Sequence, residues 1–351
     1  MVRILVCSPK LFWMTGGAER LCQEIVRRLH AAGCDVDTVA MPFRSWPHTA
    51  ALQSALLWRW LEIPADGATG VDCVLAMKAP AYLIRHPRKV VWLIHQFREV
   101  YEFADTPYSG YGCDRPDSIQ LMRWYVEADR QALNEAVALW TISANVRRRL
   151  QRYLDLDAEV VYPPPPRADR FYCVDYEPAV LVVQRLEPHK RTALLIQSLL
   201  HVRGDYQLWL VGRGSESDRI RAMLRAYHLQ ERVRWYPDAS EDTLLQLYAR
   251  CRCVFYGPYD EDYGFVPLEA FLAHKPVITT TDSGGPLEFV RHGENGWVCS
   301  PEPRAIASAI QIMLDDADLA QHLGENGNTV AAAIRWEPIV QRLQAIARSV
   351  E

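Results

Sequence analysis

Short apolar runs alternate with segments of helical period along the chain. Residues 2–8, 36–41, 71–77 and 90–95 read as strands, most of them apolar enough to be buried on both faces of a parallel sheet. Leu21, Ile25, Val26 and Leu29 fall at helical spacing between the first two strands. Residues 50–62 and 119–134 are further helical stretches. A strand is expected at 138–142, followed by a helix that Ser143 caps and that carries Val146 and Leu150. A last strand at 160–162 runs into Pro163–Pro166, which stop the pattern and favour a stiff extended crossing. The pattern then restarts. Strands are expected at 179–183, 207–211, 233–236, 253–256 and 277–281, with helices at 191–200, 217–228 and 244–249. Residues 305–314, 319–323 and 336–350 read as terminal helices. Two blocks of alternating strand and helix predict the α/β class with two parallel-sheet domains. No sequence repeat relates the blocks.

The most informative stretch is 257–289, GPYDEDYGFVPLEAFLAHKPVITTTDSGGPLEF. Glu261 and Glu269 stand with seven residues between them, around a Gly-Phe-Val-Pro turn. Pro267 suits the first turn of a helix, where no backbone N–H is missed, and Glu269 is expected near that helix start. Carboxylates accept hydrogen bonds from hydroxyls, and the free N–H groups of a helix start take an anion. The pair therefore fits a polyhydroxylated, anionic ligand. Other segments carry compatible chemistry. Gly16-Gly17 precede the first helix, where the backbone can approach a phosphate or sugar; the spacing is not GxGxxG, which disfavours a dinucleotide. His95, followed by Gln96, ends a strand, where functional groups of open sheets gather. Arg185 and Lys190 lie five positions apart in one loop and suit a diphosphate, the first as a bidentate fork and the second as a point charge.

The E-x7-E spacing around Gly264-Phe265-Val266-Pro267, together with the segment VVQRLEPHKR at 182–191, resembles the retaining glycosyltransferases of family 4. The resemblance implies a GT-B architecture, in which two Rossmann-like domains face a cleft. The domains would be an acceptor-binding one, residues 1–165 with a returning helix at 336–351, and a nucleotide-sugar-binding one, 166–335. It implies roles as well. Arg185 and Lys190 would offset the diphosphate charge, and Glu261 would face the sugar hydroxyls. Gly264, Phe265 and Val266 would offer backbone N–H groups, while Glu269 would hold the ribose. His95 would contact the donor sugar, and Gly16 and Gly17 the diphosphate. The transfer would retain configuration by a front-face route in which the leaving phosphate takes the acceptor's proton, so no protein base is named. No DxD element stands where a metal-dependent transferase would need one. The acid run Asp260-Glu261-Asp262 belongs to the E-x7-E loop, and no metal and no cofactor are expected. The donor would be a GDP- or UDP-sugar with a lean toward mannose, and the acceptor a glycan or lipid-linked saccharide. Gln184 departs from the Gly or Ser of many members. The alternatives are a non-catalytic, nucleotide-sugar-binding partner subunit, and a GT-B epimerase or phosphorylase.

Composition narrows the class. The 351 residues are 49% hydrophobic and 23% charged, as in ordinary globular proteins. The net charge of −4 gives no nucleic-acid-binding imbalance. Residues up to Arg170 hold 21 Lys+Arg and 19 Asp+Glu, and the remaining residues 18 and 24, balances of +2 and −6. The nine cysteines show no CxxC pair and read as reduced, mostly buried thiols. The opening residues read as a strand, not a signal peptide. These features suggest a cytoplasmic location, at the inner membrane face if the acceptor is lipid-linked. Trp58, Trp60 and Leu61 fit core packing better than an interfacial membrane contact. Residues 98–118 show no period and are expected to form an acceptor loop. Arg147-Arg148-Arg149 reads as a solvated helix face.

Overall fold

The computed structural model describes residues 1–10, 12, 16–109 and 116–349. They fall into two units, Met1–Pro166 with Arg335–Glu351, and Arg167–Ile334. The first unit contains strands β1 (Arg3–Cys7), β2 (Asp35–Val39), β3 (Cys73–Ala76), β4 (Lys89–Leu93), β5 (Ala138–Thr141) and β6 (Glu159–Val160). Its helices are α1 (Gly17–Ala31), α2 (His48–Trp60), α3 (Pro116–Asn134) and α4 (Ala144–Leu154). The strands pair in parallel in the order β2-β1-β3-β4-β5-β6. β3 and β4 are buried along their whole length, as the unbroken apolar runs require. Ser143 caps α4 by accepting the Val146 N–H at 3.0 Å.

The second unit repeats this plan with β7 (Ala179–Val183), β8 (Gln207–Val211), β9 (Val233–Tyr236), β10 (Cys253–Phe255), β11 (Val277–Thr280) and β12 (Gly296–Cys299). Its helices are α5 (Thr192–Ser198), α6 (Ser217–Ala226), α7 (Glu241–Arg250), α8 (Phe265–Leu272), α9 (Pro303–Asp315) and α10 (Ala317–Ala332). The strand order is β12-β11-β10-β7-β8-β9, again parallel. The α/β class and the two parallel-sheet units of a GT-B chain are thus both present. The last helix, α11 (Trp336–Arg348), belongs to the first unit. Its Trp336 meets the Trp92 ring edge-on at 6.2 Å, and Arg342 pairs with Glu159 while lying 4.6 Å over Trp140.

Several local expectations need correction. β12 is a strand that the hydrophobic pattern does not announce, because its first residue is a glycine after a polar turn. The glycine is required there: a Cβ at Gly296 would lie 2.3 Å from the Val277 carbonyl oxygen. α10 runs well beyond 319–323, through two glycines that let it press on α8 and the turn after it. A Cβ would come within 2.0 Å of the His274 carbonyl oxygen at Gly324, and 2.2 Å of the Phe271 ring at Gly327. Arg149 is not solvated: it is buried and pairs with the equally buried Glu102 carboxylate at 2.9 Å. In residues 98–109, the described part of the expected acceptor loop, Val100, Tyr101, Phe103 and Ala104 are buried while Asp105 and Pro107 are exposed; residues 110–115 lie outside the described residues. Trp58 is fully buried, but Trp60 is 71% exposed, so core packing explains only the first.

α3 also carries a buried acid. Asp129 has no solvent exposure, and its carboxylate accepts the Tyr101 hydroxyl at 2.7 Å. Burial pushes its pKa up to about 7, against the pull of the hydroxyl. A raised folded-state value means that the unfolded chain loses this proton first as pH rises. Stability from this group is therefore present at acid pH, falls across the interval from the usual carboxylate range to about 7, and is fully lost above it. Asp129→Asn should remove that component. The variant's melting temperature should gain on the wild type as pH is raised from about 5 to 8; parallel profiles would contradict it.

Candidate functional site

In an open parallel sheet, ligands bind beyond the carboxyl ends of the strands where the chain order reverses. In the second unit that point lies between β7 and β10, which are neighbours in space but leave in opposite directions along the sheet. The loop after β7 carries Arg185 and Lys190, and the loop after β10 carries Glu261. Lys190 is buried, and its ammonium is ion-paired with the Glu261 carboxylate, whose side chain is also largely shielded. The same ammonium donates to the Tyr256 hydroxyl at 3.2 Å.

Tyr256 follows β10 directly and is the hub of the arrangement. Its phenol is held well above the usual value, first by burial and then by the surrounding charges of Glu261, Asp262 and Glu269, while Arg185 pulls it the other way. Those residues therefore all lie within electrostatic reach of one buried hydroxyl, which stays neutral. The tyrosine also explains the glycine in the Gly-Phe-Val-Pro turn. Gly264 has φ of 80°, and a Cβ there would sit 2.7 Å from the tyrosine ring. Phe265 and Val266 then open α8, whose first N–H groups have no intrahelical acceptor.

Glu269 lies in the second turn of α8, not at its start, and its carboxylate accepts the buried Tyr248 hydroxyl at 2.7 Å. Arg185 is exposed at the loop surface. Gln184 has a structural use: its amide donates to the Lys190 carbonyl at 3.1 Å and to the Thr192 hydroxyl at 2.9 Å, which ties the loop to the start of α5. The backbone is tightly packed there, since a Cβ at Gly212 would approach the Gln184 carbonyl oxygen to 2.1 Å. Tyr256 and Tyr248 carried no signal in the sequence beyond their place near a strand end and on a helix.

The first unit brings together a separate set. Its chain order reverses between β1 and β3. Gly16 is the residue before α1, and its N–H donates to Glu19 at 2.9 Å. Glu19 in turn pairs at 2.8 Å with Lys78, a buried lysine just beyond β3. Gly17 is the first helical residue. His95 stands two positions past the end of β4, half-buried, with Nδ1 2.6 Å from the Gln96 carbonyl oxygen.

Comparison with known proteins gives a consistent answer. Residues 174–330 match the family model described as glycosyl transferases group 1. Alpha-1,3/1,6-mannosyltransferase ALG2 of Homo sapiens is 30% identical over 164 residues, 42% of this chain and 39% of that protein. The chain thus spans about two fifths of that relative's length. Alpha-D-kanosaminyltransferase of Streptomyces kanamyceticus is 24% identical over 343 residues, 92% of this chain and 77% of that one. Among solved structures, sucrose-phosphate synthase of Thermosynechococcus elongatus superposes with a TM-score of 0.80 at 19% identity, over 99% of this chain and 98% of that one. HepE of Anabaena, solved in complex with UDP-glucose, superposes at 0.70 with 17% identity over all of both chains. At these identities the structural likeness shows the fold.

The Lys190–Glu261 contact makes a stability prediction. Removing one partner of a shielded ion pair leaves an uncompensated charge, whereas replacing both by apolar groups does not. Glu261→Leu should cost about 3 kcal/mol in urea unfolding, and Lys190→Met/Glu261→Leu should recover most of it. Additive losses in the double variant would contradict the pairing.

Proposed function

We propose, from the match of residues 174–330 to the family model described as glycosyl transferases group 1, that the chain is a nucleotide-sugar-dependent hexosyltransferase. It moves a hexose from a GDP- or UDP-sugar to a hydroxyl of a glycan or lipid-linked glycan, with retention of configuration. The observation that carries this reading is the shielded Lys190–Glu261 pair at the β7/β10 crevice, bonded to the Tyr256 hydroxyl, with Arg185 and Glu269 within electrostatic reach of that hydroxyl. The similarity to a mannosyltransferase favours a mannose-type donor, and the likeness to a protein solved with UDP-glucose favours the wider class of nucleotide sugars.

The chemistry follows from the charges. When the glycosidic bond to the diphosphate breaks, negative charge grows on the terminal phosphate, and fixed cations aimed at it stabilise the transition state more than the ground state. Arg185 presents a bidentate fork from the loop surface. Lys190 supplies a point charge whose position is set by Glu261 and Tyr256, so little reorganisation is needed. The Glu261 carboxylate accepts sugar hydroxyls, the Gly264–Val266 N–H groups meet the donor's oxygens, and Glu269, steadied by Tyr248, accepts the ribose hydroxyls. We extend the proposal to Gly16, Gly17 and His95 in the roles that the family resemblance implies for them. The leaving phosphate receives the acceptor's proton. Leu57 and Trp60 on α2, 55% and 71% exposed, support a peripheral membrane contact and hence a lipid-linked acceptor. No helix among the described residues is long and apolar enough to cross a membrane.

Two measurements test this reading. A thermal-shift screen of GDP, UDP and their hexose conjugates should raise the melting temperature for one base family, since a ligand that binds only the native state stabilises it. Arg185→Ala should lower donor turnover about a hundredfold with an unchanged melting temperature in the free protein. No shift with any nucleotide, or full turnover by Arg185→Ala, would overturn the assignment.

A further inference from the structure

Among the described residues of the second unit, five without glycine's freedom hold left-handed backbone, and two of these lie in the loops of the site: Arg191 at φ 56° and Asp260 at φ 43°. Such conformations persist only where the surroundings impose them. Arg191 immediately follows Lys190, and Asp260 immediately precedes Glu261. The strained residues thus flank the two members of the ion pair, one on each loop.

One residue, Asp282, reaches both. Its carboxylate takes the Arg191 guanidinium in bidentate fashion, at 2.8 and 2.7 Å. Its backbone carbonyl accepts the Asp260 N–H at 2.9 Å. The carboxylate is itself steadied by the Thr280 hydroxyl at 2.9 Å, at the end of β11. Burial pushes the Asp282 carboxyl up, but the guanidinium outweighs it and holds the group below the usual carboxylate range. The Arg191 guanidinium lies 5.0 Å over the Tyr259 ring, and the Tyr259 N–H donates to the His189 carbonyl at 2.7 Å. Loops from the ends of β7, β10 and β11 are therefore stitched together at Asp282.

We propose that Asp282 is a positioning residue for the sugar-transfer site: through Arg191 and Asp260 it imposes the loop conformations that bring Lys190 and Glu261 into contact. Asp282 acts through its neighbours and is assigned no contact with the donor. The catalytic part of this inference rests on the transferase reading; the structural part does not.

The test uses the full chain and reads Lys190 directly. Site-resolved reductive methylation, followed by mass spectrometry, reports how well the Lys190 amine is held. In Asp282→Ala and Arg191→Ala the methylation rate of Lys190 should rise about tenfold at a melting temperature close to that of the wild type, as the loop that carries Lys190 loses its carboxylate–guanidinium anchor and opens more often. Arg191→Gly should raise it less than Arg191→Ala, because glycine adopts the left-handed backbone unaided. With the donor found by the nucleotide screen, kcat/KM should fall about tenfold in each alanine variant, and the double variant should be no worse than Asp282→Ala. Lys190 methylation within twofold of wild type in both alanine variants, or equal effects of glycine and alanine at 191, would overturn the proposal. If Asp282→Ala does not fold, the glycine–alanine comparison at 191 decides it. Failure of every nucleotide sugar to bind the wild type would sink the transferase reading and leave the methylation result to judge the clamp.

Discussion

Lys190 is an ammonium withdrawn from water, and much of the second unit's loop structure exists to make that tolerable. An unpaired charge in such a place would lose its proton or unfold its surroundings. Here it is offset by Glu261 and bonded to the Tyr256 hydroxyl. Tyr256 is fixed by its place directly after β10, where its N–H joins the Ile278 carbonyl at 2.9 Å. Gly264 has to be a glycine because that ring occupies the space a side chain would need. α8 therefore starts where it does, which brings Glu269 against Tyr248. One charge, placed at the reversal of a parallel sheet, thus accounts for the residue types at several positions that are far apart in the chain.

The first unit solves a similar problem by similar means. Its buried Lys78 lies beyond β3 and pairs with Glu19, which also takes the Gly16 N–H. Both units therefore carry a shielded Lys–Glu pair beside the crevice where their strand order reverses. The shared element is physical, not sequential. Parallel sheets leave strand ends and helix starts together at that crevice, and charged groups gathered there are held by one another.

The architecture could be read from hydrophobic spacing because burial dictates it: unbroken apolar runs such as 179–183 fit only a strand covered on both faces. β12 escaped because Gly296 and its polar lead-in look like a turn, and the reason for the glycine is a clash with Val277 that no spacing rule encodes. Arg149 reads as solvated because a run of three arginines carries no mark of the Glu102 that meets one of them. The candidate site was legible as Glu261, Glu269, Arg185 and Lys190, whose spacing is local to two loops. Tyr256 was not, since its neighbours are defined by the sheet. The Arg191–Asp282 pair was not either, because its members stand 91 positions apart and are joined only by three converging strand ends.

The central claim is that the β7/β10 crevice receives the diphosphate of a nucleotide sugar. A crystal structure of the protein with the nucleoside diphosphate that stabilises it most would test this most directly. The account predicts diphosphate oxygens within hydrogen-bond distance of Arg185 and Lys190, with the ribose against Glu269. A diphosphate bound elsewhere, with those side chains in contact only with solvent and with one another, would contradict it.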